Sequence, residues 1–184
     1  GREVYPTVSP NERYLIFTWR HITGSPNLYI KDFQDKNSSS KQITFTENYE
    51  GRAVWHPNSE VVFFQRKHWG FKRCDVVQLN IVTMLENKIA TCDAEKDFSL
   101  TISSDGRFLA YIVKKQNDQH LNVKLIDLKS EAMEAKLLAC HQKCRFQDLD
   151  VAFSPDAKQL ALSRSASDGM NEDLFLYDLN TQQM

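Results

Sequence analysis

Long apolar runs are missing from this chain of 184 residues: nowhere do 18 apolar residues stand together, so no segment reads as a bilayer-spanning helix. A charge excess is missing too. Lys and Arg number 23 against 24 Asp and Glu, a formal net charge of −1. Nucleic-acid and membrane-surface binding both draw on clustered basic excess, so neither is expected of this chain itself. Glycine is scarce, at six residues, which argues against cofactor-cradling loops. There is no Gly-x-Ser-x-Gly elbow, no His-Glu-x-x-His and no Gly-x-x-x-x-Gly-Lys-Ser/Thr loop. The histidines, His21, His56, His68, His120 and His141, fall one per loop or turn. The expectation is no catalytic residue, no cofactor and no metal site, hence not an enzyme. Gly1 and Arg2 lead straight into patterned sequence, so no secretory signal is expected, and the missing initiator Met suggests a processed or excised chain.

What is present is a core and a repeat. Apolar residues make up 41% and aromatics 11%, enough to bury a real core. Four segments match one another: Val8-Ser9-Pro10-Asn11, Trp55-His56-Pro57-Asn58, Ile102-Ser103-Ser104-Asp105 and Phe153-Ser154-Pro155-Asp156. Ser9, His56, Ser103 and Ser154 lie 47, 47 and 51 residues apart. Pro-Asn and Pro-Asp put a φ-locked residue before a side chain that bonds its own backbone, which makes a tight turn. Asp105-Gly106 is a hairpin signal. Each turn sits between short apolar stretches: Tyr14 to Trp19, Val61 to Phe64, Phe108 to Val113 and Leu160 to Leu162 follow it. A third, alternating strand comes next, at Leu28–Phe33, Val76–Leu79, Val123–Leu128 and Leu174–Leu179. A fourth is expected at Gln42–Phe45, Lys88–Thr91 and Lys136–Ala139. Ser130–Leu138 has helical composition, but a turn plus strand fits the repeat better.

A period near fifty built from strands points to an all-β chain of β-propeller blades, four-stranded antiparallel sheets in about four repeats, the last one incomplete. The chain is expected to form a single propeller-type domain, 1–184, with blades near 5–49, 50–96, 97–146 and 147–184. Closure as a small strained ring, pairing of two copies by their edges, and membership of a larger propeller are the three outcomes to separate.

Four cysteines allow three full pairings. Cys74 opens a third strand and Cys92 closes a fourth, so a hairpin near Thr83 sets them opposite one another at disulfide reach. Cys140 and Cys144 remain for a local bridge. Two bridges imply an oxidising compartment such as a periplasm; four reduced cysteines in a cytoplasmic protein are the alternative. A zinc site from Cys140, His141 and Cys144 lacks an evident fourth ligand.

The loops joining second and third strands are the candidate partner-binding elements, since loops carry function on a rigid scaffold. Arg20–Asn27 follows Trp19 and contains His21, and Arg66–Arg73 contains His68, Trp69 and Phe71. The second loop is basic with interleaved aromatics, which suits stacking and cation–π contact with a partner, unless Trp69 and Phe71 tuck against the next blade. Lys114–His120 and Ser163–Asp173 are the corresponding loops of the last two repeats.

Phe153-Ser154-Pro155-Asp156 with Leu176-Tyr177-Asp178-Leu179, and Val8-Ser9-Pro10-Asn11 with Leu28-Tyr29-Ile30-Lys31-Asp32, resemble the TolB-type (WD-like) propeller repeat over nearly the whole chain. The resemblance departs at His56, where Ser is usual, and at Ser104, where Pro is usual. Such blades occur in TolB, in the caps of prolyl-oligopeptidase-type peptidases, and in the sensor ends of membrane-anchored winged-helix activators of the CadC and ToxR kind. The resemblance therefore implies a non-catalytic interaction or sensor propeller, with the extracytoplasmic domain of such a regulator as the expectation. A TolB-like periplasmic scaffold or a peptidase cap is the alternative. The implied partners are a protein, or a second copy through blade edges, with any membrane contact made by a segment outside this chain.

Overall fold

The structure is a computed structural model that describes residues 1–70, 73–92, 99–114, 121–138, 147–165 and 171–184. Among the described residues every regular element is a strand. The first sheet is β1 (Arg2–Val8), β2 (Tyr14–Arg20), β3 (Asn27–Asp32) and β4 (Lys41–Gln42), and the second is β5 (Tyr49–Trp55), β6 (Val61–Lys67), β7 (Cys74–Asn80) and β8 (Glu86–Cys92). The third is β9 (Leu100–Ile102), β10 (Phe108–Lys114), β11 (Leu121–Asp127) and β12 (Ala135–Leu137). The fourth, β13 (Gln147–Phe153), β14 (Gln159–Ser165) and β15 (Glu172–Asp178), has three strands. The all-β blade repeat with an incomplete last member is thus what the chain forms. Ser130–Leu138 is a turn followed by β12, not a helix.

The turn motif acts as its chemistry requires. Ser9, Ser103 and Ser154 each donate Oγ–H to the carboxamide or carboxylate of Asn11, Asp105 and Asp156 at 2.6 Å. The same hydroxyls accept the N–H of Tyr14, Phe108 and Gln159 at 2.8–2.9 Å, the first residue of the next strand or the one that opens it. His56 replaces the serine by accepting from Asn58 N–H through Nδ1 at 3.2 Å. The residue three beyond each anchor has positive φ: Glu12 57°, Ser59 59°, Gly106 72° and Ala157 57°. Only one of the four is glycine, so the side-chain bonds hold the other three in a region L-residues avoid.

Sheets pair within two compact units, Gly1–Thr91 and Cys92–Met184. In the first, Ile16, Leu28 and Ile43 pack against Ala53, Trp55, Val62, Phe64, Val77 and Leu79. In the second, Ala110, Ile112, Val123 and Leu138 pack against Val151, Leu160 and Leu162. Each fully buried Val, Leu, Ile or Phe contributes about 1.5–3 kcal/mol, so each two-sheet core dominates its unit's stability. Cys74 and Cys92 are both buried and joined in a disulfide within the second sheet, as the hairpin argument requires. Cys140 and Cys144 lie outside the described residues.

Candidate interaction site

The most basic tract of the chain is largely neutralised from within. Arg66 is the cross-strand partner of Glu50 and bonds it through Nε, and its Nη2 reaches Glu86 at 2.8 Å. Glu50 is fully buried, and burial pushes its carboxyl above the ordinary 4.5, against the pull of Arg66. His68 donates Nε2–H to Asp75 Oδ2 at 2.7 Å, and Lys88 Nζ lies 2.6 Å from the other oxygen. Arg73 is 3.5 Å from the same carboxylate. Burial pushes the Asp75 carboxyl up, but bonds from Lys88 and His68 outweigh it and hold the group below its ordinary value. Arg66, His68 and Arg73 of this loop are thus engaged with internal carboxylates, which weakens the electrostatic appeal of the tract to nucleic acid.

What the loop offers is aromatic surface. Trp69 is 81% exposed at its tip, as is Ile22, at 87%, on the β2–β3 loop. Trp69 does not tuck back. Trp19 is half-buried, edge-on to Tyr29 with centroids 4.8 Å apart and to exposed His21 at 5.7 Å. Trp19 and His21 belong to one aromatic group on the first sheet, and His68 and Trp69 to the second sheet's loop. Phe71, His120, His141 and the Cys140/Cys144 pair lie outside the described residues. Among the described residues no group of three or more His, Cys, Asp or Glu is placed to hold a metal ion.

Between the two loops of the first unit lies a cavity of about 440 Å³. Arg20, Pro26, Glu47, Tyr49, Lys67 and Trp69 line it, with Gly24, Ser25, Asn48 and His68 completing the wall. Tyr49 and Lys67 are cross-strand partners at the start of β5 and the end of β6, and Lys67 Nζ stands 5.6 Å from the Tyr49 ring centre. Ser25 Oγ–H donates to the Glu47 carbonyl and Asn27 donates to the Thr46 carbonyl at 3.2 Å, which ties the β2–β3 loop to the connector between the sheets. Sequence reasoning finds the two loops but not the connector Glu47–Tyr49. That stretch carries no motif, and only the packing of the sheets brings it to the wall.

No protein-family model matches this sequence, and no curated protein matches it. Solved structures do. TolB from Acinetobacter baumannii superposes with a TM-score of 0.76 at 17% identity, over 98% of this chain and 42% of that one. A TolB-type protein from Agrobacterium tumefaciens gives 0.70 at 12%, over 96% and 61%. A prolyl endopeptidase gives 0.73 at 11%, over 98% and 28%. The chain thus spans less than two thirds of the length of each. At such identities the likeness speaks for the fold alone: these sheets are successive blades of a TolB-type β-propeller fold.

Proposed function

We propose that this chain is a non-catalytic interaction module that binds a protein partner through the loop end of its first unit. The observation that carries the reading is Trp69: a large aromatic side chain, 81% exposed, on a loop whose neighbouring charges are tied up internally. Large exposed aromatics of this kind are the anchors on which interfaces concentrate their binding energy. The buried Cys74–Cys92 disulfide supports an oxidising, extracytoplasmic setting. The finer form of the proposal is the sensory end of a membrane-anchored transcriptional regulator of the CadC and ToxR kind. There a winged helix and a membrane segment, both outside this chain, would touch DNA and lipid.

The likeness to TolB structures favours a second form, a periplasmic scaffold for partner proteins. The likeness to a prolyl endopeptidase keeps a peptidase cap as the third. Flanking sequence separates them. One apolar stretch preceded by a winged helix selects the regulator, further blades with a secretion signal select the scaffold, and a hydrolase domain with a nucleophile elbow selects the cap. For the module itself, a photo-crosslinker next to Trp69 should capture a partner in cells, and Trp69→Ala should lower that yield severalfold without moving the melting temperature. Unchanged capture by the Trp69→Ala protein would sink the reading. Association through blade edges belongs to the same proposal: β15 is the edge of its sheet and shows Leu174 and Leu176 at 83% and 57% exposure.

A further inference from the structure

We infer that the guanidinium of Arg52, standing on the ring of Tyr5, takes a side-chain carboxylate from a partner protein, an Asp or Glu of an extended segment. The inference rests on the interaction reading above and adds a charged contact to it. Among the described residues five arginines stand over an aromatic ring: Arg13 over Tyr14, Arg52 over Tyr5, Arg66 over Phe64, Arg107 over Phe108 and Arg164 over Phe175, with 4.7–5.4 Å to the ring centres. Four of the five also hold a carboxylate, that of Asp32, Glu50, Asp127 or Asp148. Arg52 has the ring and, among the described residues, no carboxylate within ion-pair distance. Arg2 and Arg20 also lack one, but both are exposed, and water serves them.

Water serves Arg52 poorly. The residue is only partly exposed, and its Nε–H is buried with no hydrogen-bond acceptor among the described residues. A donor in that state costs free energy, which an acceptor brought to the same guanidinium offsets. The two Nη groups are not shut in with Nε, so an acceptor can approach the fork from outside. The backbone aims the side chain there. The ladders of β1 and β5 each shift register, between Val4 and Thr7 and between Gly51 and Val54. Tyr5 and Arg52 occupy corresponding places in the two bulges, both at positive φ, 55° and 56°. A bulged residue leaves the alternation of its ladder, so neither side chain is committed to a packed face of its sheet. Non-glycine residues held in that region cluster where a fold positions a side chain for contact.

Charge and shape select the ligand. The nearest acid along the strand, Glu50, is spent on Arg66. One guanidinium then offers one positive charge in a planar fork, which matches a monoanionic carboxylate with two parallel hydrogen bonds. The ring beneath it keeps part of the solvent away, so the cation attracts that anion more strongly than an exposed one does. Place selects the source. β5 begins at Tyr49, which lines the cavity with Trp69, and Arg52 follows about 10 Å further along the strand. A partner segment anchored on Trp69 therefore needs only a few extended residues to bring an acid to Arg52.

Nitrogen-15 NMR of the arginine side chains in the whole chain tests this, with the Arg52 Nε–H signal assigned by its loss in Arg52→Lys. The probes are the blocked tetrapeptides Ala-Glu-Ala-Ala and Ala-Gln-Ala-Ala and inorganic phosphate, all at one ionic strength. The Glu peptide should shift the Arg52 signal saturably and about tenfold more tightly than the Gln peptide. The signals of Arg66 and Arg164, whose carboxylates are in place, should stay still. Arg52→Lys keeps the charge over the ring but loses the fork, and should weaken the Glu peptide severalfold, read from the backbone signals of Gly51 and Ala53. No shift by either peptide, equal shifts by both, or no effect of Arg52→Lys would overturn the inference. So would phosphate binding as tightly as the Glu peptide, which would make the ligand a free anion rather than a side chain of a partner. The interaction reading fails separately, through unchanged crosslinking by the Trp69→Ala protein.

Discussion

The two units are built on one plan, and their differences lie in the details of their polar clips. In the first sheet of each, an arginine after the turn forks onto the aspartate ending the third strand: Arg13 on Asp32 at 2.8 Å, and Arg107 on Asp127 at 2.7 Å. In the second sheet of each, an acid on the first strand pairs with an arginine across the ladder, Glu50 with Arg66 and Asp148 with Arg164. Both of those arginines also stand 5.4 Å from a phenylalanine ring centre, Phe64 and Phe175. The acid also bonds the chain that precedes its sheet: Asp148 Oδ2 accepts the Val123 N–H on β11 at 3.1 Å, and Glu50 Oε1 accepts the hydroxyl of Thr46 in the connector at 3.0 Å. The turns are tied as well, by Asn11 N–H to Ser59 Oγ and by Ser104 Oγ–H to the Pro155 carbonyl. The two units thus place these polar clips at corresponding positions. The units part company where satisfaction is incomplete. Asp148 bonds through both oxygens, whereas Oε2 of Glu50 is buried without a hydrogen bond. They part again at the third strand: Leu28 of the first sheet is buried in the core it shares with the second, whereas Leu174 of the fourth sheet is exposed.

Breaking the buried clips tests the comparison most severely. Arg164→Met strands Asp148 and Arg66→Met strands Glu50, each costing about 3–5 kcal/mol at neutral pH by urea denaturation. A loss under about 1 kcal/mol for either would mean that the pairs are ornaments on cores that hold without them. The Arg66→Met protein should regain stability as Glu50 takes a proton, since burial already favours its neutral form. The disulfide comes next and belongs to the second sheet. Cys74→Ser with Cys92→Ser should cost about 3 kcal/mol, the loop-closure value for a span of this order. Non-reducing peptide mapping should show Cys74 linked to Cys92 beforehand.

Milder is the pH profile of the wild type. Glu50 has its carboxyl raised by burial, so its stabilising contribution is full below about 4.5 and is lost as pH rises through its higher folded value. Asp75 is held below its ordinary 3.8, so its contribution is present above that value and is lost as pH falls through the folded one. Glu50→Gln should therefore remove the mildly acid gain, and Asp75→Asn should remove the loss at lower pH, both read from melting temperatures across that range. The smallest effect is expected at the solvent-facing forks. Arg13→Gln and Arg107→Gln should leave the midpoint where it is, because exposed pairs gain little over water.

The legible part of this protein was local. Ser-Pro-Asn and Ser-Pro-Asp mark turns because the hydroxyl and the Asx side chain find their partners within five residues. Alternation marks strands because side chains of a strand change face at every residue. Cys74 and Cys92 were readable as a pair because one hairpin carries both. Trp69 and His68 were legible as members of an exposed loop, but the neutralisation of that loop was not. It depends on Asp75, Lys88, Glu50 and Glu86, each on another strand or at a strand end. Arg20 and Lys67 were visible as charges of two loops and not as two walls of one cavity.

The amino-acid sequence by itself determined the repeat, the strands and the disulfide, since each is decided by neighbours along the chain or across one short hairpin. Tertiary structure alone decided which charges cancel and where a cavity opens. Glu50 meets Arg66 only through a ladder whose register shifts between Gly51 and Val54, and Glu47–Tyr49 reaches the β2–β3 loop only once two sheets have packed face to face. Register and sheet packing are set by the whole buried face at once, so no short stretch of sequence carries them.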